Sequence, residues 1–172
     1  MGMLVTKNMR DNVKARNEEK IKELYHKFVP KVRAILKDLE GHGYVPLIVW
    51  AWRSPEEQER LYKQGSTKIK YGFHNVSDRL GGPEAMAVDI VDARYMYNAP
   101  KRFWLMLASS ALAHGCESGV LWTGSNILLR NRIMKAIKER DFSYNGPLGW
   151  DCAHVQMLPN SKLSAVRKGW RP

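Results

Sequence analysis

The sequence lacks any hydrophobic run long enough to cross a bilayer. Its longest apolar stretches, Pro46 to Trp52 and Phe103 to Ala113, fall far short of the roughly 20 residues required. A soluble protein without a stable membrane anchor is expected. Cysteine is equally scarce: Cys116 and Cys152 are the only two in 172 residues, which excludes a disulfide framework and leaves reduced thiols as the expectation. The opening MGMLVTKNMRDNVKAR holds an apolar piece too short for the hydrophobic region of a secretory signal. The formal sequon Asn75-Val76-Ser77 is therefore read as coincidence, and the loose acylation pattern through Gly2 and Thr6 as a chance match. Internal repeats and low-complexity stretches are absent too. With 44% hydrophobic residues, the chain is expected to form one packed domain over 1–172: a basic segment over 1–16, a helix over 17–41 and the main core over 45–158.

Acidic residues are in short supply, with 17 Asp and Glu against 28 Lys and Arg and a net charge of +11. Such a balance attracts polyanions by long-range, salt-screened forces, and nucleic acid, anionic lipid and anionic cell wall all qualify. The basic runs, Lys7 to Lys37, Arg130 to Arg140 and Arg167 to Arg171, are not interleaved with aromatics as a base-stacking platform requires. Nucleic acid is not the expected partner.

Hydrophobic periodicity supplies the elements. Ile21, Leu24, Tyr25, Phe28, Val32, Ile35, Leu36 and Leu39 recur at helical spacing, with Pro30 expected to bend or split the helix. Pro46 to Trp52 reads as a buried strand, and Ser54-Pro55-Glu56-Glu57 as the capped start of a helix that runs to Gln64. Ser66 to Glu84 reads as a loop and Met86 to Asp92 as a second strand. A helix over Pro100 to His114, short strands at Gly119 to Trp122 and Ala153 to Met157, and a small basic surface helix over Asn126 to Arg140 complete the pattern. Helices and short strands without regular alternation predict an α+β fold with a small, mainly antiparallel sheet and helices packed on one face.

Catalytic zinc keeps three protein ligands and one open position, so three His, Cys or carboxylate donors and an extra base are the set to look for. His74, Asp89, Asp151 and His154 provide it. Asp89 alternates with Val88 and Ile90, so its carboxylate should face away from those two apolar side chains. Asp151-Cys152-Ala153-His154 puts a carboxylate beside a candidate ligand at a strand entrance, though D-x-x-H by itself is weak. Taken singly, His74 is a plain loop histidine and Asp89 a strand-end acid paired with an arginine. His114-Gly115-Cys116 reads as a helix end and core rather than a metal pair, and alternation should turn Cys152 away from the site.

Four separated stretches turn this set into a resemblance: Arg53-Ser54-Pro55-Glu56-Glu57-Gln58 with Leu61-Tyr62 and Gly65; His74; Ala87-Val88-Asp89-Ile90; and Trp150-Asp151-Cys152-Ala153-His154-Val155-Gln156. In order and kind they resemble the R-S-x-x-E-Q-x-x-L-Y, S-x-H-x-x-G-x-A-x-D and W-x-D-x-x-H elements of a zinc peptidase family. That family comprises D-alanyl-D-alanine carboxypeptidases, VanY-type peptidases and phage L-alanyl-D-glutamate endolysins, with the fold shared by hedgehog-type domains. Gly115 to Trp122 is similar to its glycine and tryptophan segment. The resemblance covers about Val49 to Met157. It implies one zinc ion held by His74, Asp89 and His154, Asp151 as general base, and Arg53 as the cation that steadies substrate or transition state. Gln58, Trp122 and Trp150 are expected to line the substrate groove.

By resemblance the substrate is the peptide stem of peptidoglycan, cut at L-alanyl-D-glutamate by a monomeric endolysin that waits in the host bacterial cytoplasm until lysis. The rivals are a D-alanyl-D-alanine carboxypeptidase and a noncatalytic wall- or polyanion-binding module. The sequence departs from the family in three places. His74 and Asp89 stand fifteen positions apart, farther than is usual there; Gly72-Phe73 replaces the serine context; and Gln156 stands where glutamate is frequent. An exposed insertion over Asn75 to Glu84 costs little, because loop-closure entropy grows slowly with length.

Overall fold

A computed structural model describes residues 6–172. Residues 1–5, with Gly2 and the opening of the expected basic segment, lie outside the described part.

The N-terminal helical pattern resolves into two helices, α1 (Lys7–Ile21) and α2 (Val29–Gly41). The split expected at Pro30 falls just before it, between Ile21 and Val29, and the first helix begins at Lys7, inside what was expected to be a basic segment over 1–16. Thr6 caps α1 by accepting from the Met9 N–H. The chain between the helices is used elsewhere: Tyr25 N donates to Ala85 O, and Ala85 N donates to Glu23 O, both at 2.9 Å. Those bonds compete with helix continuation, and Pro30 then falls in the first turn of α2, where its missing N–H costs nothing.

Four strands, β1 (Pro46–Trp50), β2 (Ala87–Asp92), β3 (Glu117–Ser118) and β4 (His154–Gln156), form one antiparallel sheet in the order β1-β2-β4-β3. Around it lie α3 (Pro55–Lys63), α4 (Lys101–Ala113), α5 (Ile127–Lys138) and α6 (Leu163–Arg167). The fold is α+β, as the pattern of elements predicts. Ile48, Val88, Ile90 and Val155 are buried, and the pairings Ile48 with Ile90 and Val88 with Val155 put them on one sheet face. Asp89, His154, Gln156 and Glu117 alternate onto the other. A continuous hydrophobic cluster takes in α1, α2, α4 and the sheet, from Val13 to Val166.

Gly119 to Trp122 is not the strand expected there. Residues Gly119–Leu121 form a 3-10 turn directly after β3, with the Ser118 hydroxyl accepting from Val120 N at 3.3 Å. Residues 66–84 are also more ordered than a plain loop. Phe73–Asn75 make a second 3-10 turn, and the residues that follow fold back as a tight hairpin. Ser77 bridges Pro83, Glu84 N donates to Val76 O at 3.0 Å, and Asp78 Oδ1 accepts from Leu80 N and Gly82 N at 2.7 and 2.8 Å. The C-terminal residues clamp this hairpin: Arg171 donates to Ser77 O at 2.6 Å and pairs with Glu84 at 2.9 Å.

Strand β1 lies at the edge of the sheet, where unpaired backbone groups invite further pairing. Asn17 of α1 closes part of that edge. Its buried carboxamide donates to Pro46 O at 2.9 Å and accepts from Ile48 N at 2.8 Å. Replacing it by leucine strands both groups in the interior. Asn17→Leu is expected to lower unfolding free energy by about 2–4 kcal/mol, seen as a lower urea midpoint with an unchanged slope.

Candidate metal centre

Cross-strand register builds the centre. Asp89 on β2 stands directly opposite His154 on β4, so their side chains leave the same face as neighbours. His74 arrives from the Phe73–Asn75 turn, which is fastened to the residues after β1 by Arg53 N donating to His74 O at 2.9 Å and Asn75 Nδ2 donating to Arg53 O at 2.9 Å. The three residues lie together despite the long interval between His74 and Asp89, because the intervening hairpin returns the chain close to where it left.

The hydrogen bonds fix which ring nitrogens are free. His74 Nδ1 lies 2.6 Å from Ala51 O, an acceptor only, so Nδ1 carries the proton and Nε2 is a lone pair. His154 Nε2 lies 3.0 Å from Gln156 Oε1. The orientation of that amide follows from its other end, where Gln156 Nε2 donates to Leu158 O, Glu117 Oε2 and Asn160 Oδ1 at 2.8, 3.1 and 3.1 Å. Its oxygen therefore faces the imidazole, Nε2 is the protonated nitrogen, and Nδ1 is free.

The free atoms form a near-equilateral triangle. His74 Nε2 is 3.2 Å from His154 Nδ1, and Asp89 Oδ1 is 3.3 Å from the former and 3.2 Å from the latter. Zinc bonds of 2.0–2.1 Å at tetrahedral angles separate ligand atoms by about 3.3–3.4 Å. The triangle has the size of one face of such a tetrahedron. Asp89 Oδ1 is buried and has no hydrogen-bond partner, and among the described residues these three form the group able to hold a metal ion. Two imidazoles and one carboxylate suit zinc better than the all-oxygen sites of magnesium or calcium. The residues fit a zinc ion.

Burial opposes ionisation of Asp89, but His74 and His154 beside it hold its carboxyl well below the usual range. Burial likewise disfavours the charged form of His154, and Asp89, Asp151 and Gln156 more than offset it. Asp151 differs: burial, helped by the charge of Asp89, pushes its carboxyl up against the pull of His154, His74 and Arg53. A carboxylate made more basic beside a metal centre has the character of a general base.

Two glycines deliver Asp151. Gly149 N donates to Val120 O at 2.7 Å, and Trp150 N donates to Trp122 O at 3.1 Å. This backbone-on-backbone contact leaves no room for a side chain: a Cβ on Gly119 would overlap the Asp151 carbonyl, and one on Gly149 the carbonyls of Gly119 and Val120. The same contact stacks Trp122 between His154 and Trp150, with ring centroids 4.8 and 5.0 Å away. Trp150 is 73% exposed, so this aromatic wall runs from the metal triangle out to solvent.

Arg53 is held in place without being used up. Its Nη1 donates to Gln58 Oε1 at 3.0 Å, its guanidinium lies 4.9 Å from the Trp50 ring centroid, and its buried Nε has no partner. Gln58, expected to line the groove, is 1% exposed, and its amide is taken up by Arg53 and by Ile69 O at 2.6 Å. It positions Arg53 and does not reach solvent. Cys152 is turned onto Gly149 O at 3.2 Å, its thiol pushed up to about 11 by burial, and it takes no part in the triangle. Tyr97 escaped the sequence reading. The residue is 58% exposed, yet partial burial of its hydroxyl raises the pKa, as do the charges of Asp89 and Asp151, while Arg53 lowers it. Its phenol therefore stands in the field of the centre. Met96 before it has φ 51°, a left-handed turn that no local signal in the sequence announces.

No protein-family model and no curated protein matches the chain. Among solved structures, the crystal structure of Serratia marcescens L-Ala D-Glu endopeptidase ChiX is similar, with a TM-score of 0.54 at 18% identity, over 84% of this chain and 87% of that one. The fold is thus that of a known L-Ala D-Glu endopeptidase.

The triangle and its supports make distinct predictions for zinc affinity, read by equilibrium dialysis. The wild type is expected to bind one equivalent; His154→Ala should lose binding, and Gln156→Leu, which frees the His154 ring, should weaken it about 10- to 100-fold.

Proposed function

We propose that this protein is a zinc peptidase that hydrolyses the L-alanyl-D-glutamate amide in peptidoglycan stem peptides. The observation that carries the reading is the convergence of two imidazole nitrogens and a carboxylate oxygen, with a basic carboxylate and a partly unpartnered arginine in their field, on the fold of an L-Ala D-Glu endopeptidase.

His74, Asp89 and His154 would hold the ion, whose bound state supplies Lewis acidity toward the scissile carbonyl and the attacking water. Ala51 O and Gln156 keep the two imidazoles in the tautomers that ligation needs. Asp151 accepts the proton of the water as the new C–O bond forms, and returns it to the amide nitrogen as the C–N bond breaks. Arg53, with its free Nε, and the Tyr97 hydroxyl offer donors to the oxygen that gains charge. Trp122 and Trp150 give the peptide stem a flat wall beside the ion.

A net charge of +11 favours adhesion to the anionic bacterial wall. This supports an endolysin that reaches its substrate from the host cytoplasm once the membrane is opened. It would act as a monomer, since one chain supplies every residue named.

Digestion of defined peptidoglycan fragments, with chelator and zinc add-back and mass spectrometry of the products, tests the reading. A zinc-restored cut between L-alanine and D-glutamate is expected. Release of terminal D-alanine would move the protein to the carboxypeptidases, and zinc binding without any cut would make it a binding module. Asp151→Ala should keep zinc and lose about 10²–10⁴-fold in kcat; full activity would remove Asp151 as the base. Tyr97→Phe should lower kcat/KM about tenfold with zinc affinity unchanged, the loss of one hydrogen bond made as charge develops.

A further inference from the structure

The basic helix α5 plays no part in the metal centre. Ile133, Ala136 and Ile137 are its buried residues, and at 3.6 residues per turn they define an inner face. Ile127, Leu128, Asn131, Arg132, Lys135 and Lys138 fall on the opposite, solvent-facing arc. Ile127 is 68% exposed and Leu128 72%, so two adjacent branched aliphatic side chains stand in water in the first turn. They are held there. Asn126 Oδ1 accepts from Leu129 N at 3.0 Å, and Thr123 Oγ1 donates to Asn126 O at 2.9 Å, which fixes the helix start.

Cations follow the pair along the same helix and just past its end. Arg130, Arg132, Lys138 and Arg140 are exposed, and among the described residues none of them pairs with a carboxylate; Lys135 alone reaches one, Glu139, at 3.9 Å. A soluble polyanion would use these charges but leave Ile127 and Leu128 in water. A membrane surface with anionic headgroups uses both, taking the aliphatic side chains below the headgroups and meeting the cations at their level.

We infer that the outer face of α5 is a docking surface for anionic phospholipid, through which the protein binds a membrane surface reversibly. Trp122, on the wall of the metal centre, precedes Ile127 by five positions, so docking through the first turn of α5 ties the site to that surface. The inference is independent of which bond the centre hydrolyses.

Cosedimentation of the full chain, loaded with zinc, with vesicles of phosphatidylcholine alone or mixed equally with phosphatidylglycerol tests it. The wild type is expected to bind the mixed vesicles and not the neutral ones. Ile127→Ser with Leu128→Ser should weaken partitioning about tenfold or more, through lost apolar burial. Lys135→Gln with Lys138→Gln should weaken it about fivefold per charge removed. All these positions are exposed, so wild-type circular dichroism spectra and zinc content are expected of both variants. Absence of binding to the mixed vesicles would overturn the inference. So would a serine variant that partitions like the wild type, because charge alone would then act and the helix would belong to a soluble polyanion such as nucleic acid or wall polymer.

Discussion

With both imidazoles neutral, three lone pairs, one of them on an anion, meet within 3.3 Å of one another. Their mutual repulsion in a buried site is large unless a cation takes the space they enclose. Much of the structure around the centre serves to hold that arrangement. The β2–β4 register sets Asp89 against His154, the 3-10 turn after the Tyr71-Gly72 segment brings in His74, and two hydrogen bonds, one to the Ala51 carbonyl and one to the Gln156 side chain, deny the imidazoles their other tautomers. A one-residue slip of β4 would turn His154 to the opposite sheet face and dismantle the site.

Gln156 explains how the His154 ring is held without the frequent glutamate. A carboxylate there would accept the His154 proton and add a negative charge beside the ligand. The amide accepts it just as well, but only if its NH₂ end is fully occupied, and Leu158 O, Glu117 and Asn160 occupy it. The negative charge has moved one residue out, to Glu117, the cross-strand partner of Gln156. A neutral group in contact with His154 would leave more of the positive charge of an ion held there uncompensated.

The long interval between His74 and Asp89 is accommodated in a similar way. Its residues do not wander; Asp78 organises the hairpin tip and Arg171 fastens the hairpin base to the C-terminal residues. Segments at the two ends of the chain, α1 along the edge of β1 and the tail on the hairpin, thus stabilise the elements that carry the candidate ligands, although neither contributes one.

Local patterns along the chain mark the elements and the candidate ligand set. Period-2 and period-3.6 hydrophobic patterns mark β1, β2, α2 and α4, caps and prolines mark their starts, and His74, Asp89, Asp151 and His154 announce themselves by donor chemistry and by order along the chain. What they leave open is whatever depends on contacts between distant residues. The break before α2 exists because residues 23–25 bond to Ala85, and the turn at Gly119 exists because another backbone, at Gly149 to Asp151, lies against it. Tyr97 and the inward turn of Gln58 were invisible for the same reason. Local propensity reports what a residue prefers within a few neighbours, whereas side-chain direction, tautomer and close approach are decided by the partner across the fold, which only the tertiary structure supplies.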